Sequence, residues 1–385
     1  MAGRVAPINV NVLDWAVSNS GFSDSGLAAE AKLTSQRLRE IRTGQVMPRT
    51  GELRKLAKAL DRPIAFFFLP GPPQRTDPVI SFRPPVGRSE ERPLNNQEQA
   101  ALRSAMRWQK IGDWIQGRYD VEAVKISLPV LPKGSNPIVA AKEITTWLGW
   151  NVSQQRATQS SYGLLRELRM RLEARGIFIL QYSLGHESCR GFSLPHPTTP
   201  LIALNSSFNA AARVFSIIHE CAHLLRGDRA VCGSPRNDNI ERWCERTAAL
   251  ALIPSSDLLE YLGERGLTGK VSDIKDVARI ANRYFVSLRA VAVRLGELNR
   301  AETGLYAAID RIAEYGGPGF AGPNVEPQTT PVIRLRELGT HIPRLLLDAR
   351  ALGILSDTAV RRYLDVNGAQ LDDISARIER MAAEV

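Results

Sequence analysis

The sequence predicts a mostly α-helical protein of several domains, with one small antiparallel sheet near its middle. The chain of 385 residues is longer than a single domain of about 100–200 residues, so more than one core is expected. Apolar residues recur at helical spacing through most of the chain. Short apolar runs replace that spacing between residues 176 and 204, and two stretches rich in proline and glycine interrupt it.

These breaks divide the chain into five predicted parts. A cluster of four or five short helices is predicted at residues 1–69, and a proline-rich linker at 70–95. The largest domain follows at 96–313, then a second linker at 314–331 and a C-terminal helical domain at 332–385. The largest part contains the three predicted strands, "IFILQY", "GFSL" and "PLIAL". The last part shows helix, glycine turn and helix, which fits either a second helix-turn-helix or a dimerisation element.

Composition and charge exclude several classes of protein. With 44% hydrophobic and 23% charged residues, the chain is neither collagenous nor wholly disordered. No apolar run approaches the roughly 18 residues that a membrane span needs, so no membrane role is expected. A net charge of +10 favours contact with polyanions. The cysteines form no CxxC pair and no apolar signal segment opens the chain, which predicts a reduced, cytoplasmic protein; they are Cys189, Cys221, Cys232 and Cys244.

The strongest chemical signal is the run "FSIIHECAHLLRG", which contains an HExxH motif. Its two histidines, His219 and His223, are four residues apart and share one face of a helix. Both imidazoles can therefore bind one Zn²⁺ ion, and Glu220 beside the first of them can accept a proton from water. The alternative is a helix with two ordinary histidines and a solvated glutamate, so a third ligand decides between the two interpretations.

The third ligand is expected on a second helix, in "IERWCERTAALALIP". Glu241 follows His223 by eighteen residues on a helix that looks packed, so its carboxylate would be partly buried and would need a partner. Glu245, one turn later, is the alternative ligand. Three protein ligands would leave one position for water, as in catalytic rather than structural zinc sites, and we expect one zinc ion per chain.

The segment around these motifs, about residues 166–298, resembles the ImmA/IrrE family of bacterial metallopeptidases. In that family a later glutamate ligand lies in an ExxAN-like segment that ends in LLMP; Glu241 matches the glutamate, Cys244 the alanine, Glu245 the asparagine, and "LALIP" the ending. The resemblance implies a zincin-like α+β peptidase. It also implies cleavage of a peptide bond, typically in a DNA-binding repressor.

Other residues are weaker candidates for a role in the peptidase reaction. The strand at Leu201–Leu204 precedes the HExxH helix and is expected to offer an open edge for an extended substrate. Donors to the oxyanion could be Arg213, His186 or His196, although such residues are more often structural. Cys221 and Cys244 could act as a ligand or redox switch, but free cysteines are usually small buried hydrophobes.

The N-terminal segment "SDSGLAAEAKLTSQRLREIRTGQVMPRTGELRKLAKAL" shows short helices joined by a tight turn, as in a helix-turn-helix. The second helix turns Leu38 and Ile41 to the core, which leaves a polar face that could read bases: Ser35, Gln36, Arg37 and Arg39. The segment resembles the XRE (Cro/repressor-like) family, and its continuation "RPIAFFFLPGPP" resembles bacterial proteins that fuse such a domain to an ImmA-like peptidase. The domain is expected to bind DNA or another regulator, and a bundle with a solvated face is the alternative.

Together these patterns predict a zinc-dependent endopeptidase fused to a helix-turn-helix domain. Its expected protein substrate is a helix-turn-helix repressor. DNA is a further expected partner through the N-terminal domain, and the chain could also form a homo-oligomer. The alternative function is a non-proteolytic XRE-family regulator whose peptidase-like domain is a metal-binding sensor or scaffold. An intact His219, Glu220, His223 and Glu241 favour the enzyme, because a sensor has no need of a general base.

Overall fold

A computed structural model describes residues 4–20, 22–60, 62–72, 94–118, 128–132, 134–226, 238–314 and 328–383. The described residues contain eighteen α-helices and one sheet of three strands. The mostly helical class is thereby confirmed. They form two compact units, one with the residues up to 104 and one with the residues from 105 onward. Among the described helices, none is long and apolar enough to cross a membrane.

The first unit is a bundle of short helices around its own apolar core. Leu13, Leu27, Leu38 and Leu56 are fully buried in that core. The bundle consists of α1 (Val10–Ser18), α2 (Asp24–Glu30), α3 (Ser35–Arg42), α4 (Thr50–Ala59) and a 3₁₀ turn (Ile64–Phe68). The turn between α2 and α3 holds Lys32 in the left-handed region, with φ of 52°. Thr34 then caps α3 by accepting a hydrogen bond from the backbone N–H of Arg37, at 3.1 Å.

Ten helices and the three strands come next in chain order. Helix α5 begins at residue 96, and its residues from Ala105 onward belong to the second unit. The elements are α5 (Asn96–Gln116), α6 (Pro137–Leu148), α7 (Val152–Ala157), α8 (Ser161–Glu173), β1 (Phe178–Tyr182), β2 (Gly191–Leu194), β3 (Leu201–Asn205), α9 (Ala210–Leu225), α10 (Asp238–Leu252), α11 (Ser255–Glu264), α12 (Ile274–Tyr284), α13 (Leu288–Glu297) and α14 (Leu305–Glu314). Four further helices complete the described chain: α15 (Thr330–Leu338), α16 (His341–Ala351), α17 (Asp357–Leu364) and α18 (Gly368–Ala383).

The sheet lies where the sequence predicts it, but it is mixed rather than purely antiparallel. Its strand order is β1-β3-β2, with β3 parallel to β1 and antiparallel to β2. In register, Phe178 pairs with Leu201 on one side of β3, and Leu194 pairs with Leu201 on the other. The strands are buried almost throughout rather than on alternate residues, as expected of strands covered on both faces. Short apolar runs do not encode strand order, which is why the sequence alone misses the parallel pair.

Helices cover both faces of the sheet. On one face, Ile179 and Ile202 share the main core of the second unit with Val214 and Ile217 of α9. On the other face, α5 approaches so closely that a Cβ atom on Gly112 would lie 2.6 Å from the Phe178 ring. This packing fixes α9, the helix with the HExxH motif, directly against the strands.

The C-terminal helices pack on the same unit. Glu173, which is 4% exposed, accepts a hydrogen bond from the backbone N–H of Thr340 at 3.0 Å. Arg169 donates to the backbone carbonyl of Arg336 in α15 at 2.7 Å. The predicted bounds of the five parts stay predictions, and both predicted linkers fall largely on residues 73–93 and 315–327, outside the described residues.

Candidate metal centre

Helix α9 brings the two histidines of the HExxH motif together. Asn209 caps its first turn by accepting from the backbone N–H of Ala212 at 2.9 Å, and the alanines that follow favour the helix. The Nε2 atoms of His219 and His223 are 3.2 Å apart, with ring centroids separated by 4.8 Å. His219 is completely buried. One metal ion can therefore bind both imidazoles.

Glu241 completes the cluster from α10. One of its carboxylate oxygens lies 3.4 Å from His219 Nε2, and the other lies 3.5 Å from His223 Nε2. Among the described residues, His219, His223 and Glu241 form the only group whose potential ligand atoms all lie within 4.8 Å of one another. Glu245 is not part of that group. The structure thus brings together the three ligands that the sequence favours.

This donor set fits a zinc ion. Two imidazole nitrogens and one carboxylate oxygen are typical zinc ligands, and three protein ligands leave a position open. Oε2 of Glu241 is buried and makes no hydrogen bond with any described residue. A buried carboxylate oxygen in that state costs free energy, and a bound cation would remove the cost.

The side chains of the cluster shift one another's pKa values. Burial raises the pKa of Glu241, but the adjacent imidazoles of His219 and His223 outweigh it and hold that pKa well below its usual range. Burial lowers the pKa of His223, yet contacts with Cys244 and Glu241 outweigh it and place that pKa well above its usual value. Protonation of His223 competes with metal binding, because zinc binds neutral imidazole, so we expect zinc affinity to fall as the pH is lowered.

Glu220 lies beside the cluster, on the face of α9 that meets β2. It is only 3% exposed, and it contacts Gly191, the first residue of β2. A Cβ atom on Gly191 would lie 3.4 Å from Cγ of Glu220, 3.5 Å from its Oε1 and 2.8 Å from the backbone oxygen of Ala203. Sequence analysis missed Gly191, although a glycine at the start of the predicted strand "GFSL" is a sign of close backbone approach.

The position of Gly191 leads to a test. An added Cβ would lie 2.8 Å from the backbone oxygen of Ala203, so Gly191→Ala must shift β2 relative to β3. Because Glu220 packs on Gly191, we expect that shift to slow peptide hydrolysis by about tenfold or more while zinc content stays unchanged. The measurements are kcat on a protein substrate and metal content after dialysis. The matched control is Gly263→Ala in α11, where an added Cβ would meet nothing within 4 Å. A Gly191→Ala variant with the kcat of the native protein would contradict the role of this contact.

The expected open edge at Leu201–Leu204 is wrong. β3 is the central strand and is paired on both sides, because β1 and β2 flank it. The outer edge of β1 is approached by Arg169, which donates to the carbonyl of Ile179 at 2.9 Å. Within the described residues no strand pairs with the outer edge of β2, so β2, the strand that contacts Glu220, offers the open edge.

Each candidate oxyanion donor contacts another side chain. The ring of His186 packs edge-on against Phe208 at 5.2 Å. His196 Nδ1 lies 2.9 Å from the hydroxyl of Thr199 in the β2–β3 connection. Arg213 donates to the side chain of Gln181 on β1.

The described cysteines are buried thiols. Burial raises the pKa of Cys221 to about 12, and burial also raises the pKa of Cys244 although a hydrogen bond with His223 opposes the change. Both side chains are therefore neutral near pH 7, which disfavours a reactive thiolate. Cys232 lies outside the described residues.

In the first unit, α3 presents part of the predicted polar face. Gln36 and Arg39 are exposed and Ser35 is partly exposed. Arg37, by contrast, donates to both carboxylate oxygens of Glu52 in α4, at 2.9 and 3.0 Å. The same carboxylate accepts from the backbone N–H of Arg49 at 2.7 Å, so Arg37 is occupied in holding α3 to the start of α4.

The comparison with protein families concerns the second unit. Residues 172–296 match the IrrE N-terminal-like domain of peptidase family M78. The match begins at the end of α8 and ends one residue before the end of α13, and it includes the buried cluster and Glu220. The match of residues 172–296 to a peptidase family suggests a metallopeptidase domain. No curated protein matches the chain.

Proposed function

We propose that this chain is a zinc-dependent endopeptidase that cleaves a DNA-binding transcriptional repressor. The observation that carries the proposal is the buried group of His219, His223 and Glu241 with the carboxylate of Glu220 beside it. A purely structural zinc site is closed by four protein ligands, whereas among the described residues only three ligand atoms converge here. The match to a peptidase family supports the same reaction class.

Each residue has a definable part in the reaction. His219, His223 and Glu241 would hold the zinc ion, which when bound activates water and polarises the scissile carbonyl. Glu220 accepts the proton of the attacking water and returns it to the leaving amine. Its burial against Gly191 keeps the carboxylate in one position, and a positioned base is what proton transfer requires.

We place the substrate on β2. The backbone N–H of Asn205 donates to the carbonyl of Arg190 at 3.0 Å, so this pair is a hydrogen-bonded one. Along an antiparallel ladder, hydrogen-bonded pairs alternate with pairs that are not hydrogen-bonded. Gly191 and Ser193 belong to the second kind, so their N–H and C=O groups point away from β3. An extended peptide can add there as a further strand, within reach of Glu220. Gln109 of α5 holds the end of β2 to the β2–β3 connection by donating to the carbonyls of Leu194 and Thr199.

The repressor as substrate class is supported by the sequence resemblance to ImmA/IrrE peptidases fused to XRE-like domains. Cleavage between the DNA-binding part and the dimerisation part of a repressor would separate its two operator contacts. Tight operator binding depends on both contacts being linked, so one cut would end repression.

The experiment that tests the proposal is a substrate trap. Glu220→Gln removes the proton acceptor while keeping the shape of the side chain, so a bound substrate should survive and co-purify. We expect mass spectrometry to identify a helix-turn-helix regulator, and native protein with zinc should cut it. The matched control is Glu245→Gln, which changes a nearby glutamate outside the cluster. If the partner stays whole with native protein, or if Glu220→Gln cuts it equally well, the metal-sensor or scaffold function takes the place of the peptidase.

For the first unit we propose binding of DNA through the exposed part of α3. Arg39→Ala should weaken binding to the chain's own promoter region by about tenfold and reduce the salt dependence of binding, because one phosphate or base contact is lost. Arg37→Ala should instead lower the melting temperature, because it breaks the contact with Glu52. Fluorescence anisotropy at several salt concentrations measures the first effect. Equal DNA affinity of Arg39→Ala and native protein would favour a protein-binding role.

A further inference from the structure

Helix α9 is open to solvent only along one stripe, and that stripe runs through the zinc cluster. All of its 16 residues except Phe215 and His223 are buried against the described parts of the chain. These two residues are eight positions apart with His219 midway between them, so all three share one face of the helix. His223 is a metal ligand in the function proposed above, whereas Phe215 has no part in that proposal.

Phe215 lies directly beside the first metal ligand. Its ring and the imidazole of His219 are nearly parallel, with an interplanar angle of 28° and centroids 6.4 Å apart. The metal ligands converge on the other edge of that imidazole, at Nε2. A peptide held at the cluster for hydrolysis therefore passes close to the phenyl ring.

The ring of Phe215 is apolar and partly exposed. Part of it packs against the main core of the second unit, and the rest is open. Exposed aromatic surface is unfavourable in water, and an apolar group that covers it removes the cost. The neighbours of Phe215 one turn earlier on the helix are Ala211 and Ala212, at 5% and 8% exposure. Their small side chains leave room for a bulky group beside the ring.

The open edge of β2 directs substrate side chains toward this stripe. Glu220 contacts β2 at Gly191, and Phe215 lies on the other flank of His219, since its direction on the helix differs from that of Glu220 by about 140°. Side chains of an extended strand alternate between its two faces. A peptide added to β2 therefore turns every second side chain toward α9, where Phe215 borders the metal ligands.

We propose that Phe215, with Ala211 and Ala212, forms an apolar subsite for a bulky aliphatic or aromatic side chain next to the scissile bond. The proposal rests on the peptidase function and narrows its substrates to chains with a large apolar residue beside the cut. None of these three side chains can pair with a charge. An acidic or basic substrate residue therefore loses hydration there without gaining a partner.

Binding of hydroxamates to the zinc-loaded full chain tests the subsite without requiring hydrolysis. A hydroxamate binds zinc through its two oxygens, so compounds that share this group and differ in the attached side chain report on the subsite. We expect phenylpropionohydroxamate to bind about tenfold or more tightly than acetohydroxamate, because its ring leaves water. Succinic monohydroxamate, which carries a carboxylate instead of a ring, should bind no more tightly than acetohydroxamate. Isothermal titration measures the three affinities.

Two variants assign the preference to Phe215. Phe215→Ala should reduce the preference for the phenyl compound to about threefold or less, with zinc content and acetohydroxamate affinity unchanged. Phe215→Gln should have the same effect and places a polar chain at a partly exposed helix position, so the result does not depend on the space that alanine leaves. Tyr306→Ala is the control, since it removes a 43% exposed aromatic side chain of α14. Its preference should equal that of the native protein.

Cleavage of a peptide library gives a second measurement. Native protein should cut beside large apolar residues, and Phe215→Ala should lose that selectivity while it keeps zinc. Equal affinity of native protein for the phenyl and methyl hydroxamates, or an undiminished preference in both Phe215 variants, would overturn the subsite. Cleavage without apolar selectivity would overturn it as well and leave the peptidase function in place. A phenyl preference that depends on Phe215, in a protein that cuts no peptide, would support the subsite and contradict the peptidase function.

Discussion

Glu241→Ala is expected to empty the metal centre. The variant removes one of the three converging ligands and leaves two imidazoles whose Nε2 atoms are 3.2 Å apart. Zinc affinity should fall by about a hundredfold or more, because even groups that only orient a ligand contribute about tenfold to a hundredfold. Competition with a chromophoric chelator measures the affinity, and metal analysis after dialysis measures the content.

Two variants make this result specific to Glu241. Glu241→Gln keeps an oxygen ligand without the negative charge, so its zinc affinity should lie between those of the native protein and Glu241→Ala. Glu245→Ala lies one turn later on the same helix and should bind zinc like the native protein, since Glu245 is not part of the converging group. Full zinc retention in Glu241→Ala, with loss in Glu245→Ala, would move the third ligand one turn along α10.

Glu220→Gln is expected to leave zinc bound and to stop hydrolysis. The substitution keeps the size of a side chain that is 3% exposed and packed against Gly191, so the fold and the three ligands should be unaffected. A general base contributes about 10²–10⁴-fold to rate. The rate of cleavage of the trapped partner should therefore fall by about a hundredfold or more, with little change in its binding affinity.

Single-turnover cleavage and a direct binding measurement separate the two effects. A chelator added to native protein should abolish cleavage as well, and added zinc should restore it. Native-like cleavage by Glu220→Gln would remove this residue from the reaction. A loss of zinc in the same variant would mean that Glu220 holds the ligands in place instead of moving a proton.

The two variants also distinguish metal binding from catalysis. Glu241→Ala should lose both zinc and hydrolysis, whereas Glu220→Gln should lose hydrolysis alone. A metal-binding sensor would respond to Glu241→Ala and ignore Glu220→Gln, because sensing requires the ligands but no base. The pair of results therefore decides between the enzyme and the alternative regulator.

The sequence alone determined the features that depend on local spacing. His219 and His223 are four residues apart on a helix, and that spacing by itself puts both imidazoles on one face. Local spacing also predicts that Leu38 and Ile41 of α3 are buried, and a short apolar run predicts each of the three strands. The mostly helical class follows from the same kind of pattern.

Only the tertiary structure decided which elements meet. The apolar runs of β1, β2 and β3 carry no record of their order, so the parallel pair and the open edge on β2 could not be found from them. Three contacts show this: Glu220 with Gly191, Arg37 with Glu52, and Arg213 with Gln181. In each of them the two residues lie on separate elements, 15 to 32 positions apart in the sequence. Such contacts arise when independent helices and strands pack together, and their chemistry depends on burial and on neighbours that lie on other elements.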